Sequence, residues 1–302
     1  MPGTFTGKTE FGKIVAAKLR SQLVTNGLFA HPFEGDMPAA AVNIPLTFDE
    51  EAGEYSKTNL SSNAPSYDTN AYITLPINHD LYINKYLDGF NIATASYDEK
   101  VDALDRAAYS VAKSSNKIGI KVLLNGAQGL DEAGNAFGST DPRYQQVGSI
   151  VAEGTDIYDS LTALGGLLTD AGVPLENRYI VVNGDGQARI MASTKVIRQG
   201  DMSQELVKRG FIAQIAGFNV RVTNLVTGTA TATGAASATK ILGVVGHPIF
   251  GANPTAFREE PRIIDGNYDA NVVGGAFAKG RLATAYAVLD PRAYGLLVAN
   301  AS

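Results

Sequence analysis

The stretch GFIAQIAGFNVRVTNLV, residues 210–226, decides how this chain is to be interpreted. Two glycines, Gly210 and Gly217, interrupt apolar runs that contain neither a histidine nor a carboxylate. A glycine at position 217 allows a sharp bend before the segment FNVRVTN, residues 218–224. Since successive side chains of a strand point to opposite faces, this segment predicts a strand with Phe and two Val on one face and Asn, Arg and Thr on the other. A segment shaped in this way, without a reactive group, indicates a structural role.

The composition excludes several classes of protein. The chain has 302 residues and no cysteine, which excludes a disulfide framework, zinc fingers and a thiol nucleophile. The formal net charge is −5, and no cluster of five or more Lys and Arg occurs, so tight binding to nucleic acid is not expected. The N-terminal sequence lacks the apolar core of a signal peptide, and no run of 18 apolar residues occurs. We therefore expect a soluble intracellular protein without a membrane-spanning segment.

A low charged fraction of 18% together with 32 Gly leaves much surface that is neither charged nor fully apolar. Such surface is covered by a partner, or it belongs to an Ala-rich helical core, and the composition leaves both interpretations open.

Elongated elements dominate the N-terminal half of the sequence. Residues 8–25 have the periodicity of an amphipathic helix, which we expect to pack against a neighbouring surface. Two strand-like runs, 41–48 and 71–77, enclose about 22 mostly polar residues and predict a long hairpin with a polar tip. Because an isolated hairpin is marginally stable, the body of the protein or another subunit must cover it. Residues 97–125 predict a long helix that begins near Asp98 and ends at Asn125-Gly126.

The C-terminal half predicts shorter elements. The Gly-rich segment 126–142 lacks the Lys-Ser/Thr of a phosphate-binding loop and is interpreted as a plain loop. The remaining predictions are a helix over 155–171, a hairpin over 177–193 with strands 179–182 and 188–192, a short helix over 203–209, strands over 241–245 and 282–289, and a linking segment over 262–280. Since helices and strands do not alternate regularly, the predicted fold class is α+β.

No motif in the sequence predicts catalysis, a cofactor or a metal ion. The histidines lie far apart without metal-ligand spacing, two adjacent glutamates lie in the polar hairpin, and three aspartates near a helix start fit the helix dipole better than a Mg²⁺ site. These residues are His31, His79, His247, Glu50, Glu51, Asp98, Asp102 and Asp105. We therefore assign no catalytic, cofactor-binding or metal-binding residue, and we expect that the protein is not an enzyme.

The order of these segments resembles the major capsid proteins of tailed bacteriophages with the Hong Kong 97-like fold. AVNIPLTF…AYITLPI is similar to the extended loop, and YDEKVDALDRAAYSVAKSSNKIGIKVLLNGA to the spine helix of the peripheral domain. PLENRYIVVNGDGQARIMAS and LVKRGFIAQIAGFNVRVTNLV are similar to the axial domain, and REEPRIIDGNYDANVVGGAFAKGRLATAYAVLDPRAYGLL to the return into the peripheral domain. The resemblance implies an N-terminal arm over 1–40, an extended loop over 41–80, a peripheral domain over 81–152 and 281–302, and an axial domain over 153–280.

The resemblance also implies a function. Subunits would form hexamers and pentamers of an icosahedral head, assembled in the host cytoplasm, that encloses double-stranded DNA without sequence-specific binding. Because the chain begins almost directly with the arm helix, a separate scaffolding protein is expected, together with a portal protein; a decoration protein is left open. Some relatives crosslink subunits through a loop Lys and a neighbour's Asn. Lys57 lies in the comparable loop, but neither the Asn nor a catalytic acid can be identified, so no crosslink is predicted.

Three other interpretations remain. A nanocompartment shell protein of the same fold would enclose an enzyme as cargo instead of DNA. An α+β enzyme with an unrecognised site would be a monomer or small oligomer with a pocket. A secreted lattice or adhesion protein is disfavoured by the missing signal sequence.

Overall fold

The computed structural model describes residues 23–30, 41–46, 57–58, 71–89, 92, 99–138, 141, 151–152, 156–193, 195, 214–230, 239–265 and 275–299. The helices are α1 (Glu99–Gly126), α2 (Ile157–Asp170) and α3 (Gly184–Ala192). The strands are β1 (Ala41–Leu46), β2 (Ala71–Pro76), β3 (His79–Leu87), β4 (Val151–Ala152), β5 (Tyr179–Val182), β6 (Gln214–Ile215), β7 (Phe218–Val222), β8 (Thr229–Ala230), β9 (Thr239–Gly246), β10 (Gly251–Ala252), β11 (Thr255–Asp265), β12 (Ala276–Thr284), β13 (Ala287–Val288) and β14 (Gly295–Ala299). The predicted helix over 203–209, Gly210 and most of the predicted helix over 8–25 lie outside the described residues.

The pairing of the two strands of the predicted hairpin is confirmed, whereas its predicted polar tip lies, apart from residues 57–58, outside the described residues. β1 and β2 pair antiparallel in a register that joins Ala41 to Pro76 and Leu46 to Ala71. Ile44 and Leu75 turn toward the body and form a small buried cluster with Ala252, Ala285 and Ala287. The body of the subunit therefore covers the base of the hairpin.

The predicted long helix is also confirmed. α1 has 28 residues and acidic side chains in its first turn, where the helix dipole favours negative charge. At a rise of about 1.5 Å per residue, it is about 42 Å long. Its N-terminal half lies on a sheet through Ala103 and Ala107, which pack with Ala276 and Ala278. These small side chains allow a close approach of the helix to the strands.

The sheet beneath this half of α1 was missed by the sequence analysis. It has the order β11-β12-β3, and all its pairs are antiparallel. The segment 262–280, predicted as a linker, therefore contributes to two strands. The run FREEPR (257–262) contains a proline and four charges, which disfavour a strand. Pro261 is tolerated because it lies at a register shift between Glu259 and Arg262.

A larger mixed sheet forms the main core. Its order is β4-β14-β9-β5-β7-β6, and β8 pairs with β9. The buried face of α2, as predicted over 155–171, packs here through Leu161, Leu164 and Leu168. β5 lies in the interior of this sheet, antiparallel to β9 and parallel to β7, and all four of its residues are buried.

The predicted hairpin over 177–193 is wrong in its second half. The strand over 179–182 exists as β5, but residues 184–192 form α3 instead of a returning strand. The side chain of Asn183 caps this helix by accepting a hydrogen bond from the backbone N–H of Gly186 at 2.8 Å. Since β7 and β9 already occupy both edges of β5, no edge remains for a strand to return on. A Cβ at position 186 would lie 2.9 Å from the carbonyl oxygen of Leu242, so the glycine serves close packing rather than a hairpin turn.

The bend predicted at Gly217 is confirmed. Ala216 and Gly217 have φ angles of 48° and 83° and join β6 to β7 in a tight antiparallel turn. Only glycine adopts such angles without strain, which explains the residue at position 217. Phe218 is buried and Asn219 is exposed, as the alternation predicted.

Strand pairing crosses two of the predicted domain bounds. The first half of β12 falls in the range 153–280 but pairs with β3, which lies mostly in the range 81–152, and β11 joins the same sheet by pairing with β12. β14 falls in the range 281–302 but pairs with β9 of the larger sheet. The four ranges themselves stay a prediction.

Candidate functional site

The candidate residues from the sequence do not gather into one site. His31, Glu50, Glu51 and Asp98 lie outside the described residues. Within the part of the chain that the structure describes, no group of three or more His, Asp or Glu could hold a metal ion. No helix in that same part is long and apolar enough to cross a membrane.

His247 has a structural environment. Its ring is buried, its Nε2 donates to the carbonyl of Glu176 at 2.8 Å, and its Nδ1 accepts from the backbone N–H of Ile249 at 3.3 Å. Burial lowers the pKa of His247 below its ordinary value, because the charged imidazolium would lose its hydration. The neutral ring caps the short 3₁₀ turn Pro248–Phe250.

His79 contacts a carboxylate at the base of the hairpin. Its Nε2 faces Glu132 Oε1, and the amide of Asn78 donates to the other oxygen of Glu132 at 3.4 Å. The contact fastens the beginning of β3 to the loop after α1. Neighbouring Asp131 closes that loop by accepting from the backbone N–H of Asn135 at 2.8 Å, and this bond lowers the pKa of Asp131.

The aspartates of α1 act within the helix. Asp102 pairs with Arg106 one turn later, at 2.9 Å. Asp105 is exposed on the same helix. An i, i+4 ion pair near a helix start is typical of a solvated helix surface rather than of a cation site.

Two clefts flank the C-terminal half of α1. The first has a volume of about 560 Å³ and lies between the hairpin strand β2, α1 and the loop 130–133. The second has a volume of about 570 Å³ and lies between α1 and the segment 225–228. Lys121 lines both clefts.

Exposed aromatic and charged side chains share the outer face of the three-stranded sheet. Tyr82 is 77% exposed, and Tyr86 lies 5.3 Å from the ring of Phe277 on the adjacent strand. Arg281 contacts both oxygens of Asp80 across the strands, and this pairing lowers the pKa of Asp80. Exposed aromatic side chains of this kind are typical of protein–protein contact surfaces.

The segment 23–30 is held by side chains that sequence reasoning missed. Asn116 Oδ1, on α1, accepts from the backbone N–H groups of Val24 and Thr25 at 3.0 and 2.9 Å. Arg221 Nη1, on β7, donates to the carbonyl of Val24 at 2.9 Å and also to that of Asn26. In the sequence, Asn116 is a polar residue next to the apolar stripe of a long helix. The hydrophobic pattern alone does not distinguish such an asparagine from one that is exposed to solvent.

Solved structures of phage capsids have the same fold over almost the whole chain. A capsid structure of the cyanophage P-SCSP1u matches with a TM-score of 0.72 at 16% identity, over 98% of this chain and 94% of that chain. A structure from Mycobacterium phage Che8 matches with a TM-score of 0.67 at 13% identity, over 98% of both chains. The asymmetric unit of the mature capsid of bacteriophage PhiM1 matches with a TM-score of 0.65 at 12% identity, over 97% of this chain and 91% of that chain.

No protein-family model and no curated protein sequence matches the chain. The structural matches show that it has the fold of tailed-phage capsid proteins. The predicted fold class, α+β with the Hong Kong 97-like capsid fold, is therefore confirmed.

Proposed function

We propose that this chain is the major capsid protein of a tailed double-stranded DNA phage. Copies of the chain form hexamers and pentamers, which build an icosahedral shell around the DNA without recognising its sequence. The shell assembles in the host cytoplasm and becomes part of the virion. The observation that carries the proposal is the match to a phage capsid structure over 98% of this chain and 94% of the other.

The shape of the subunit supports this proposal. β1 and β2 are anchored to the body through Ile44 and Leu75, and the sequence has a connection of 24 residues between Leu46 and Ala71. Segments that reach across neighbours add contact area that one copy cannot supply, and each subunit is then tied to several others. Within the subunit, we assign α1 with the sheet β11-β12-β3 to a peripheral unit and the larger sheet to an axial unit.

Further partners belong to the same proposal. A separate scaffolding protein would guide assembly, and a portal protein would occupy one vertex. Lys57 is exposed, but neither the Asn nor the catalytic acid of a crosslink can be identified in the sequence. Boiled, denatured particles are therefore expected to run as monomers on a gel and to show only the mass of the single chain.

Expression of the full chain, with and without the products of neighbouring genes, tests the function. Negative-stain microscopy should show closed shells or capsomers, and particles purified from infected cells should contain double-stranded DNA. A small, monodisperse species that never forms particles under either condition would contradict the proposal. Particles that contain a single enzyme in place of DNA would instead identify a nanocompartment shell.

A further inference from the structure

The exposed face of α1 carries an uncompensated row of lysines. Lys113, Lys117 and Lys121 follow one another at i, i+4 and i+8, so they lie on one face about 6 Å apart along the axis. All three are exposed, and none forms an ion pair with a residue among those that the structure describes. In a chain with a net charge of −5, such a local concentration of positive charge is not explained by the overall composition.

An apolar groove lies beside this row. It is the cleft of about 570 Å³ between α1 and the segment 225–228, and its volume falls within the roughly 300–1,000 Å³ of ligand sites. Lys117 and Lys121 stand at its rim together with the polar side chains of Gln128 and Thr227. Its apolar lining comes from Ile118, Leu124, Leu225 and Ile241.

We propose that this groove and the lysine row bind an acidic amphipathic helix of a partner protein. Apolar side chains on one face of the helix enter the groove, and carboxylates spaced at i and i+4 along its flank match the lysines, because both helices repeat every 6 Å or so over four residues. The partner is thereby defined by its chemistry: one apolar stripe bordered by Glu or Asp. The inference rests on the proposed function only for the partner's role, which is that of the scaffolding protein proposed above.

Other occupants fit the surface less well. The chain's own helix predicted over 8–25 carries Lys8, Lys13, Lys18 and Arg20, so its charge has the same sign as the row. A DNA duplex could contact the lysines but has no apolar side chain for the groove, because its interfaces are polar and made largely through phosphates. The acidic stretch 49–54 of a second copy has the right charge but is interrupted by Gly53, which disfavours a helix.

Binding of a synthetic peptide to purified full-length capsomers tests the proposal. The probe is a fluorescein-labelled helix about five turns long with Leu along one face and Glu at i, i+4 and i+8 on its flank. The double variant Lys117→Glu/Lys121→Glu should weaken its binding about ten-fold or more. The matched control is Lys85→Glu, an exposed lysine on β3, which should bind as the wild type does.

Three further binding measurements separate the contribution of the lysines from that of the apolar groove and compare the acidic helix with other ligands. A peptide with Lys in place of Glu should bind the double variant better than it binds the wild type. A peptide with Ser in place of Leu should lose binding, because the groove would no longer be filled. A short DNA duplex and a peptide of residues 46–56 should both bind more weakly than the acidic helix.

The proposal would be overturned if the acidic helix bound the wild type and the double variant equally well, or if exchanging its Leu for Ser left its affinity unchanged. Tighter binding of the duplex or of the 46–56 peptide would also overturn it. If particles form but the acidic helix does not bind, this inference fails while the proposed capsid function stands. If neither particles nor capsomers form, the proposed function is contradicted before the binding of the peptide is measured.

Discussion

Asn116 and Val24 are 92 positions apart in the sequence, and the Oδ1 of Asn116 accepts the backbone N–H of Val24 at 3.0 Å in the buried interior. The same oxygen accepts the N–H of Thr25. One amide oxygen on α1 thus accepts hydrogen bonds from two consecutive backbone N–H groups of the segment 23–30. The guanidinium of Arg221 binds the same segment by donating a hydrogen bond to the backbone carbonyl of Val24.

We expect Asn116→Ala to release this segment. Two backbone N–H groups would lose their acceptor, and each buried group left unsatisfied costs about 1–3 kcal/mol. Hydrogen exchange of the amides of Val24 and Thr25 should become faster, and the thermal unfolding temperature should fall. Asn224→Ala, at an exposed position, is the control and should leave both measurements unchanged. Unaltered exchange at Val24 in the Asn116 variant would show that the hydrogen bonds do not hold the segment.

Gly126, at the end of α1, packs closely against Val288. A Cβ at this position would lie 2.4 Å from Cγ2 and 2.8 Å from Cβ of Val288, so Gly126→Ala should destabilise the fold by about 1–3 kcal/mol through overpacking. In α2, Gly166 has nothing within 4 Å of its would-be Cβ, and Gly166→Ala should stabilise by about 0.5–1 kcal/mol. Thermal unfolding of the two variants should therefore shift in opposite directions; a shift in the same direction would contradict the packing argument.

His247 makes stability depend on pH in a definite direction. Its pKa is lowered in the folded protein, whereas the unfolded chain takes up a proton near its ordinary value of about 6.5. As pH falls below about 6.5 the unfolded state binds more protons than the folded state, so the contribution of this residue to stability falls. Its full contribution is present above that pH.

The variant His247→Asn tests this dependence, since Asn can still accept at the cap but does not titrate. The loss in unfolding temperature between pH 7 and pH 5 should be smaller for the variant than for the wild type. The carboxylates and the other two histidines are common to both proteins, so the difference isolates His247. Equal losses would show that the residue does not titrate differently in the two states.

Ile44 anchors the hairpin to the body. Ile44→Ala would remove most of its contact with the cluster that contains Ala252, Ala285 and Ala287, and such truncations cost about 2–5 kcal/mol when fully buried. Limited proteolysis should cut within 41–76 sooner in this variant, while the larger sheet stays resistant. Tyr72→Ala, on the exposed face of the same hairpin, should not change the cleavage rate at low protein concentration. Equal rates for both variants would place the anchor elsewhere.

The elements that sequence reasoning predicted well carry their own periodicity and stop signals. α1 has a continuous apolar stripe and ends at Asn125-Gly126, and the turn at Gly217 needs a residue that tolerates positive φ. Local chemistry alone determines these features, so one sequence is sufficient to predict them.

The errors arose where neighbours decide the structure. The sequence predicts a strand over 188–192 because the glycines before it suit either a hairpin turn or a helix start. Only the occupied edges of β5 exclude the strand. β11 contains Pro261 and several charges, and it pairs with β12 because β11 itself is bulged at this point, with Gly280 of β12 close to the proline. Likewise Asn116 and Arg221 become important only when distant segments meet them, so no local pattern marks them.

The hydrogen bonds from Asn116 and Arg221 to the backbone of residues 24–26 have a kinetic consequence. Arg221 is 197 positions beyond Val24, so a ribosome synthesises nearly three quarters of the 302-residue polypeptide before that donor exists. Contacts between such remote positions form late in folding, because the conformational entropy of closing a long loop must be lost before the contacts can stabilise the chain. We therefore expect residues 24–26 to dock fully only once β7 has joined the larger sheet, so that the order of synthesis delays the moment at which a subunit is ready to join its neighbours.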